Sequence, residues 1–165
     1  MDIEVFDPRE KTFGFKLDRY SCYRRCTGKC SLEDISIEEL ESYSSNYRDE
    51  ASIDYCRGIA RLFLYNKFTA PARIYYNERC GHYSFADGQH RTCVVAHLLR
   101  KGARVNLNAT IIKQKCLCRN CLITNEYIKQ ENSLRFFDRY FKTGEYRKLQ
   151  KSKQKYEEHE FLKRL

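Results

Sequence analysis

The stretch from Ala86 to Gly102 constrains the fold of this chain more than any other. It begins as the end of a strand and turns sharply at Asp87-Gly88. The apolar positions Val94, Val95, Leu98 and Leu99 then recur as on a helix, which Gly102 stops. Gly88 lets the backbone approach a ligand with no side chain in the way. Gln89, His90, Arg91 and Thr92 fall on the first helical turn, where unpaired N–H groups and the dipole favour an anion. Arg91 adds a planar donor fork, and His90 adds a second donor suited to phosphate oxygens. An ordinary strand-to-helix turn with polar surface residues is the competing reading.

The flanks extend the pattern. Upstream, Arg73-Ile74-Tyr75-Tyr76-Asn77-Glu78, a Cys80-Gly81 turn and Tyr83-Ser84-Phe85-Ala86 read as a hairpin. Downstream, Val105, Leu107, Ala109 and Ile111 alternate as in a strand ending near Lys113. This order of hairpin, Asp-Gly-Gln-His-Arg, helix, Gly and strand resembles the ParB/sulfiredoxin superfamily, and within it the DGQHR-type ParB-like domains. The resemblance covers residues 51–113, and its sharp part is Asp87 to Arg91. It implies an α+β fold, a mixed sheet with flanking helices, and a loop in which Gly88, Gln89, His90, Arg91 and Thr92 hold nucleotide phosphates.

The superfamily includes a sulfinic-acid reductase, CTP-binding partition proteins, a free-serine kinase and nucleases. Where sulfiredoxin has its nucleophilic cysteine, this chain has Gln89, and Cys93 lies about one helical turn further on. Sulfiredoxin activity is therefore not expected. The Arg-rich motif of the partition proteins is also missing, which removes the basis for a CTP clamp. The resemblance leaves phosphoryl transfer, nucleotide hydrolysis and nuclease chemistry open. Asp87 would hold Mg²⁺ of a nucleoside triphosphate, and His90 and Arg91 would stabilise charge on the transferred group. Glu50 and Asp54, which precede the hairpin, are the candidates for a general base.

The nine cysteines carry the second signal. An odd number does not fit a fully paired disulfide framework, and Met1-Asp2-Ile3-Glu4 does not open a signal peptide. With no long apolar run, a cytoplasmic, membrane-free protein with reduced thiols is expected. Cys22, Cys26 and Cys30 form one trio, and Cys116, Cys118 and Cys121 another. Cys-x-x-Cys at a turn lets two sulfurs reach one ion, and two thiols from each trio would complete tetrahedral Zn²⁺. The ion would then staple a cysteine-rich N-terminal arm to the far side of the fold. An Fe–S cluster is the alternative, because three close cysteines plus a fourth ligand can hold one. Cys80-Gly81-His82 at the hairpin tip could add ligands.

The remaining elements follow from local pattern. Phe13, Phe15 and Leu17 alternate as in a short strand. Thr27-Gly28 predicts a turn. Ser36 and Glu39 have capping-box spacing before a short acidic helix. Ile53, Cys56, Ile59, Ala60, Phe63 and Leu64 predict a helix over 49–65. Leu134, Phe137 and Phe141 predict a helix over 132–141 closed by Gly144, and a Lys/Glu-rich helix follows from Tyr146 to Leu165. Three regions of one compact domain result: 1–48 with the Cys-rich arm and acidic helix, 49–113 as the core, and 114–165 as a Cys-rich turn with a basic helical tail. The formal net charge is +9, and from Lys129 to Leu165 eleven Lys/Arg face six Asp/Glu. That tail, interleaved with Tyr140, Phe141, Tyr146 and Tyr156, supports a second functional reading: a metal-stabilised DNA- or RNA-binding module without catalysis.

Overall fold

The computed structural model describes residues 2–17, 19–44 and 49–160, the last three as backbone only. Its centre is the expected hairpin, β3 (Ala72–Asn77) and β4 (His82–Asp87), closed by a turn in which Gly81 has φ +67°. Ile74 pairs with Phe85 and Tyr76 with Tyr83, while Tyr75 and Ser84 face the other way. Ala72, Ile74 and Phe85 are buried in the main core.

Three strands from distant parts of the chain extend this hairpin. Residues 108–114 form β5 (Asn108–Gln114), parallel to β3, and β1 (Ile3–Val5) lies antiparallel on β5. On the opposite side β2 (Phe13–Gly14) runs parallel to β4. The mixed five-stranded sheet has the order β1-β5-β3-β4-β2. Phe13, Phe15 and Leu17 are all buried, as their alternation suggests, and Phe13 stacks on Phe85 with ring centroids 5.3 Å apart. β1 carries no such signal, because all three of its residues are exposed on an edge. Val105 and Leu107 are buried but precede β5, which begins three residues later than Val105.

Two helices cover the core face of the sheet. One is α3 (Ile53–Leu64), which buries Ile59, Ala60 and Phe63. The other is α4 (Gln89–Arg100), which buries Val94, Val95 and Leu98 and is followed by Gly102 at φ +86°. The short α1 (Tyr23–Thr27) ends on Gly28 at φ +81°, the turn expected there. Before α2 (Ile37–Glu41) the capping box forms: Ser36 N–H donates to Glu39 Oε2 at 2.7 Å, and Glu39 N–H donates to Ser36 Oγ at 3.1 Å. Leu40 of this helix is fully buried, which docks the acidic segment on the core.

The C-terminal third departs from the sequence reading. A helix starts at Arg119 rather than Asn132: α5 (Arg119–Ser133) has Cys118 as its N-cap, with the sulfur accepting the Cys121 N–H. A helix over 132–141 does not form as one piece. The chain is extended at Leu134 and Arg135, and α6 (Phe136–Tyr140) is a separate short helix. Gly144 opens α7 (Gly144–Glu160) instead of closing its predecessor. Apolar spacing around Leu134, Phe137 and Phe141 suggested a buried face, yet Phe137 and Phe141 are about two-thirds exposed. α7 packs on α5 through Tyr127 and Tyr156, stacked at 4.9 Å, and through buried Leu149. The expected end of that helix at Leu165 lies outside the described residues. No helix among the described residues is long and apolar enough to cross a membrane.

Candidate functional site

Two places gather chemistry-bearing side chains. The first lies at the tip of the hairpin. Asn77 is buried at the end of β3, where its backbone carbonyl accepts the N–H groups of Cys80 (3.2 Å) and Gly81 (2.9 Å). Its side-chain amide donates to His82 O (3.0 Å) and Ser84 Oγ (2.9 Å). One residue thus fixes both the turn and the start of β4, and with them Cys80 and His82. β5 is parallel to β3, so it ends at this same edge with Gln114 opposite Asn77. The chain then has only three residues, 115–117, before Cys118 caps α5. That short connection carries Cys118 and Cys121 to the hairpin tip.

The ligand atoms of Cys80, His82, Cys118 and Cys121 all lie within 4.8 Å of one another. His82 Nδ1 is 3.2 Å from Cys121 Sγ and 3.7 Å from Cys118 Sγ, and Cys118 N–H donates to Cys80 Sγ at 3.4 Å. A tetrahedral zinc ion, with Zn–S about 2.3 Å and Zn–N about 2.1 Å, requires sulfur and nitrogen roughly 3.6 Å apart. This Cys3His group can therefore hold a metal ion.

Its thiols differ before any metal arrives. Burial opposes ionisation of Cys80, but N–H groups of Cys118 and His82 directed at its sulfur bring it below the usual thiol value. Burial raises Cys118, and burial with the neighbouring Cys118 sulfur pushes Cys121 up to about 12. Metal uptake must then displace protons from Cys118 and Cys121.

The expected combination of the two trios on one ion is not the grouping found. Cys116 is exposed and points to Asn77 Oδ1 (3.6 Å) and Gln114 Oε1 (3.5 Å), outside the ligand group. Cys22, Cys26 and Cys30 are not part of it either. This group joins residues of the hairpin tip and of α5 and leaves the N-terminal arm aside. Cys80 and His82 complete the set, and Cys-x-His at a hairpin tip was the signal that located them.

The second place is at the opposite end of the hairpin, where β4 runs into α4. Gly88, at φ +92°, is the N-cap of α4 and has no side chain to cap it. A Cβ there would lie 2.6 Å from the Cβ of Ala72, so both the backbone angle and the close packing on β3 require glycine. Thr92 is buried and its hydroxyl donates to Gly88 O at 2.9 Å, locking the first turn. Gln89 Oε1 accepts the backbone N–H of Lys16, tying the loop to the N-terminal segment.

Arg91 is only 8% exposed, and its fork is already engaged. One terminal nitrogen donates to Ala70 O at 2.6 Å, the other pairs with the Asp87 carboxylate, and the guanidinium lies 5.3 Å over the Phe68 ring. Asp87 also accepts the Gly88 N–H at 2.7 Å. Asp87 and Arg91 thus brace the turn between them. Beside them opens a cavity of about 350 Å³, lined among others by Lys16, Ser21, Glu50, Tyr55, Gln89 and His90. His90 lies 3.9 Å from Glu50. Burial holds its pKa below the usual histidine value against the pull of Glu50, so the ring is neutral near pH 7. Asp54 accepts a hydrogen bond from Tyr43 and is not among the cavity's lining residues.

Comparison with family models, with curated proteins and with solved structures gives no match for this chain.

Proposed function

We propose that the chain binds a nucleotide through its phosphates at the N-terminus of α4, and that Zn²⁺ at Cys80, His82, Cys118 and Cys121 stabilises the fold that carries this site. The observation that carries the reading is the cavity at a helix start capped only by glycine, with Lys16 at its wall. Orphan N–H groups and the helix dipole favour an anion there. The Asp-Gly-Gln-His-Arg resemblance to the ParB/sulfiredoxin superfamily points to the same loop. Asp87 and Glu50 supply oxygens suited to the Mg²⁺ of a nucleoside triphosphate. Neutral His90 beside Glu50 suits proton transfer in phosphoryl transfer, nucleotide hydrolysis or phosphodiester cleavage. In this reading Arg91 shapes the loop and offers phosphate its remaining donors.

Calorimetric titration of nucleoside triphosphates, with and without Mg²⁺, tests it. Lys16→Ala removes a cavity cation without touching the Asp87–Arg91 brace. It should weaken binding by about 1.5–3 kcal/mol, the range for charged hydrogen bonds. No binding of any nucleotide by the folded wild type removes the reading.

A second reading has its own observation. Phe136, Phe137, Tyr140 and Phe141 are all about 70% exposed, and they lie beside the basic helix α7. Exposed rings next to lysines suit base stacking and phosphate contact on single-stranded nucleic acid. Binding to DNA or RNA without nucleotide, weakening steeply with salt, favours this module.

A further inference from the structure

α3 and α4 pack on one face of the sheet, and the start of α5 lies over part of the other. On this second face the register sets Gly14, Ser84 and Tyr75 side by side across β2, β4 and β3. One step along, Asn77 pairs with Gln114 of β5. Gly14 is glycine for a reason: a Cβ there would lie 2.6 Å from Oδ1 of Asn120, a buried residue of α5. The missing side chain lets α5 approach the sheet, and a cavity of about 180 Å³ remains beside that contact. None of the Cys3His ligands lines it, and Lys16 is the one lining residue it shares with the cavity at α4.

The side chains around this cavity still have contacts to give. Asn77 donates to Ser84 Oγ at 2.9 Å, which leaves the Ser84 hydroxyl proton for a ligand. Gln114 Oε1 faces the Cys116 thiol at 3.5 Å, which leaves the amide N–H groups. Tyr75 lines the cavity, and neither its ring nor its hydroxyl has a partner among the described residues. Lys16 and Arg119 line it too, both exposed and neither in an ion pair among the described residues, and no lining residue is acidic. An unpaired nucleotide asks for these same parts: an aromatic face for the base, donors for its edge and cations for its phosphates. A bare anion would use the two cations and leave Tyr75 and the amides idle. Pockets that enclose a whole drug-sized ligand run to roughly 300–1,000 Å³, so this smaller one suits a single ring system. Arg73 lies two residues from Tyr75 on the same face and is exposed, which continues the positive charge along the sheet beyond the cavity. That continuation fits a strand better than a free nucleotide.

We propose that the cavity between the second face of the sheet and α5 binds one unpaired nucleotide of single-stranded RNA or DNA. The base lies against Tyr75, Ser84 and Gln114 donate to its edge, and the flanking phosphates meet Lys16 and Arg119. The site rests on neither the phosphate reading at α4 nor the exposed rings of α6. Because Lys16 borders both cavities, Tyr75 and Arg119, which the α4 cavity does not share, carry the test.

Fluorescence anisotropy of the full-length chain with labelled oligo(dT), oligo(dA) and oligo(rA), each about six nucleotides long, reads the binding. At least one strand should bind, with an affinity that falls as salt rises. Tyr75→Ala should weaken binding about tenfold, whereas Tyr75→Phe, which keeps the ring, should stay within about threefold of wild type. Arg119→Ala should weaken every strand by a similar factor and lower the salt slope by about one. Melting temperatures show whether each variant is folded. Should Tyr75→Ala fail to fold, Arg119→Ala, at an exposed position, gives the reading through its salt slope. No binding of any strand by folded wild type overturns the proposal. So does binding that Tyr75→Ala and Arg119→Ala both leave at wild-type strength, which puts the strand on the rings of α6. A free nucleoside monophosphate that binds as tightly as the strands also overturns it, because the ligand is then the nucleotide alone.

Discussion

The two cysteine–histidine groups are built in opposite ways. At the hairpin tip, Cys80 and His82 come from one turn, and Cys118 and Cys121 from the first turn of one helix. Backbone hydrogen bonds from Asn77 and the Cys118 N-cap fix all four before any ion binds, so they stand at the separation one tetrahedral ion needs. Around α4, by contrast, Cys22, Cys30, Cys56 and Cys93 arrive from three elements and are positioned by side-chain packing in the core. No three of them come within 4.8 Å of one another, and all four are partly buried. Local backbone geometry makes a compact ligand group, whereas tertiary packing lodges the other thiols against the core. The same residue types acquire different chemistry from how far along the chain they are gathered.

The largest effect should come from breaking the tight group. Cys118→Ser, or a chelator, should free the hairpin tip from α5, because a structural site contributes its binding energy to folding. A loss of several kcal/mol lowers the melting temperature of a chain this size by more than about 10 °C. Cys116→Ser should leave it within about 2 °C, since that thiol is exposed and outside the group. Equal losses from the two variants, measured by calorimetry with zinc analysis, would show that the grouping is wrong.

Next in size is Gly88→Val, which acts at the other end of the hairpin. The side chain would collide with Ala72 and demand a positive φ, costing on the order of 3 kcal/mol. Zinc content should be unchanged, because the tip of the hairpin is about 20 Å away along six-residue strands. Loss of zinc together with stability would join two regions that the comparison separates.

Asn77→Ala sharpens the same point on a smaller scale. It removes two hydrogen bonds, to His82 O and Ser84 Oγ, from a fully buried position. The expected cost is about 1–3 kcal/mol with a weakened metal affinity. A zinc competition assay that finds wild-type affinity would remove the positioning role of Asn77.

How legible each region was follows from the same difference. The hairpin, α3, α4 and the capping box at Ser36–Glu39 are local in sequence, and their patterns specify them. The start of α5 was hidden because Cys118 is an unusual N-cap, and its sulfur reads as a ligand before it reads as a cap. The exposed β1 has no alternation to recognise. Cys118 and Cys121 were evident from Cys-x-x-Cys, but their partners depend on β5 lying parallel to β3, which spacing does not reveal. Arg91 looked like a free phosphate fork, and only its proximity to Ala70 and Asp87 shows it bracing the turn. The thiols around α4 could not be grouped at all without the fold, since Cys56 and Cys93 look like ordinary small residues on apolar helix faces.

The smallest expected effect, the pH profile of stability, separates the two groups most directly. It is measured on zinc-loaded protein, in which the tight thiols are already ionised by the metal. Burial holds Cys56 up to about 12 and Cys93 well above its ordinary value of 9.0. A raised folded pKa means that the unfolded chain gives up its protons first. The stability these thiols contribute is thus complete below about 9 and is lost as pH rises from there toward 12. On the acid side, burial lowers His90 and His97 below the ordinary 6.5. The unfolded chain then binds more protons below that value, so stability falls as pH drops through it. Each such group contributes a slope of at most about 1.4 kcal/mol per pH unit. Cys56→Ala should make the alkaline arm shallower, because that raised thiol is one of the two that lose protons there, while the acid arm should remain. Denaturant titrations of both proteins from pH 5 to 10 read both arms, and an alkaline arm equally steep in Cys56→Ala would remove Cys56 from it.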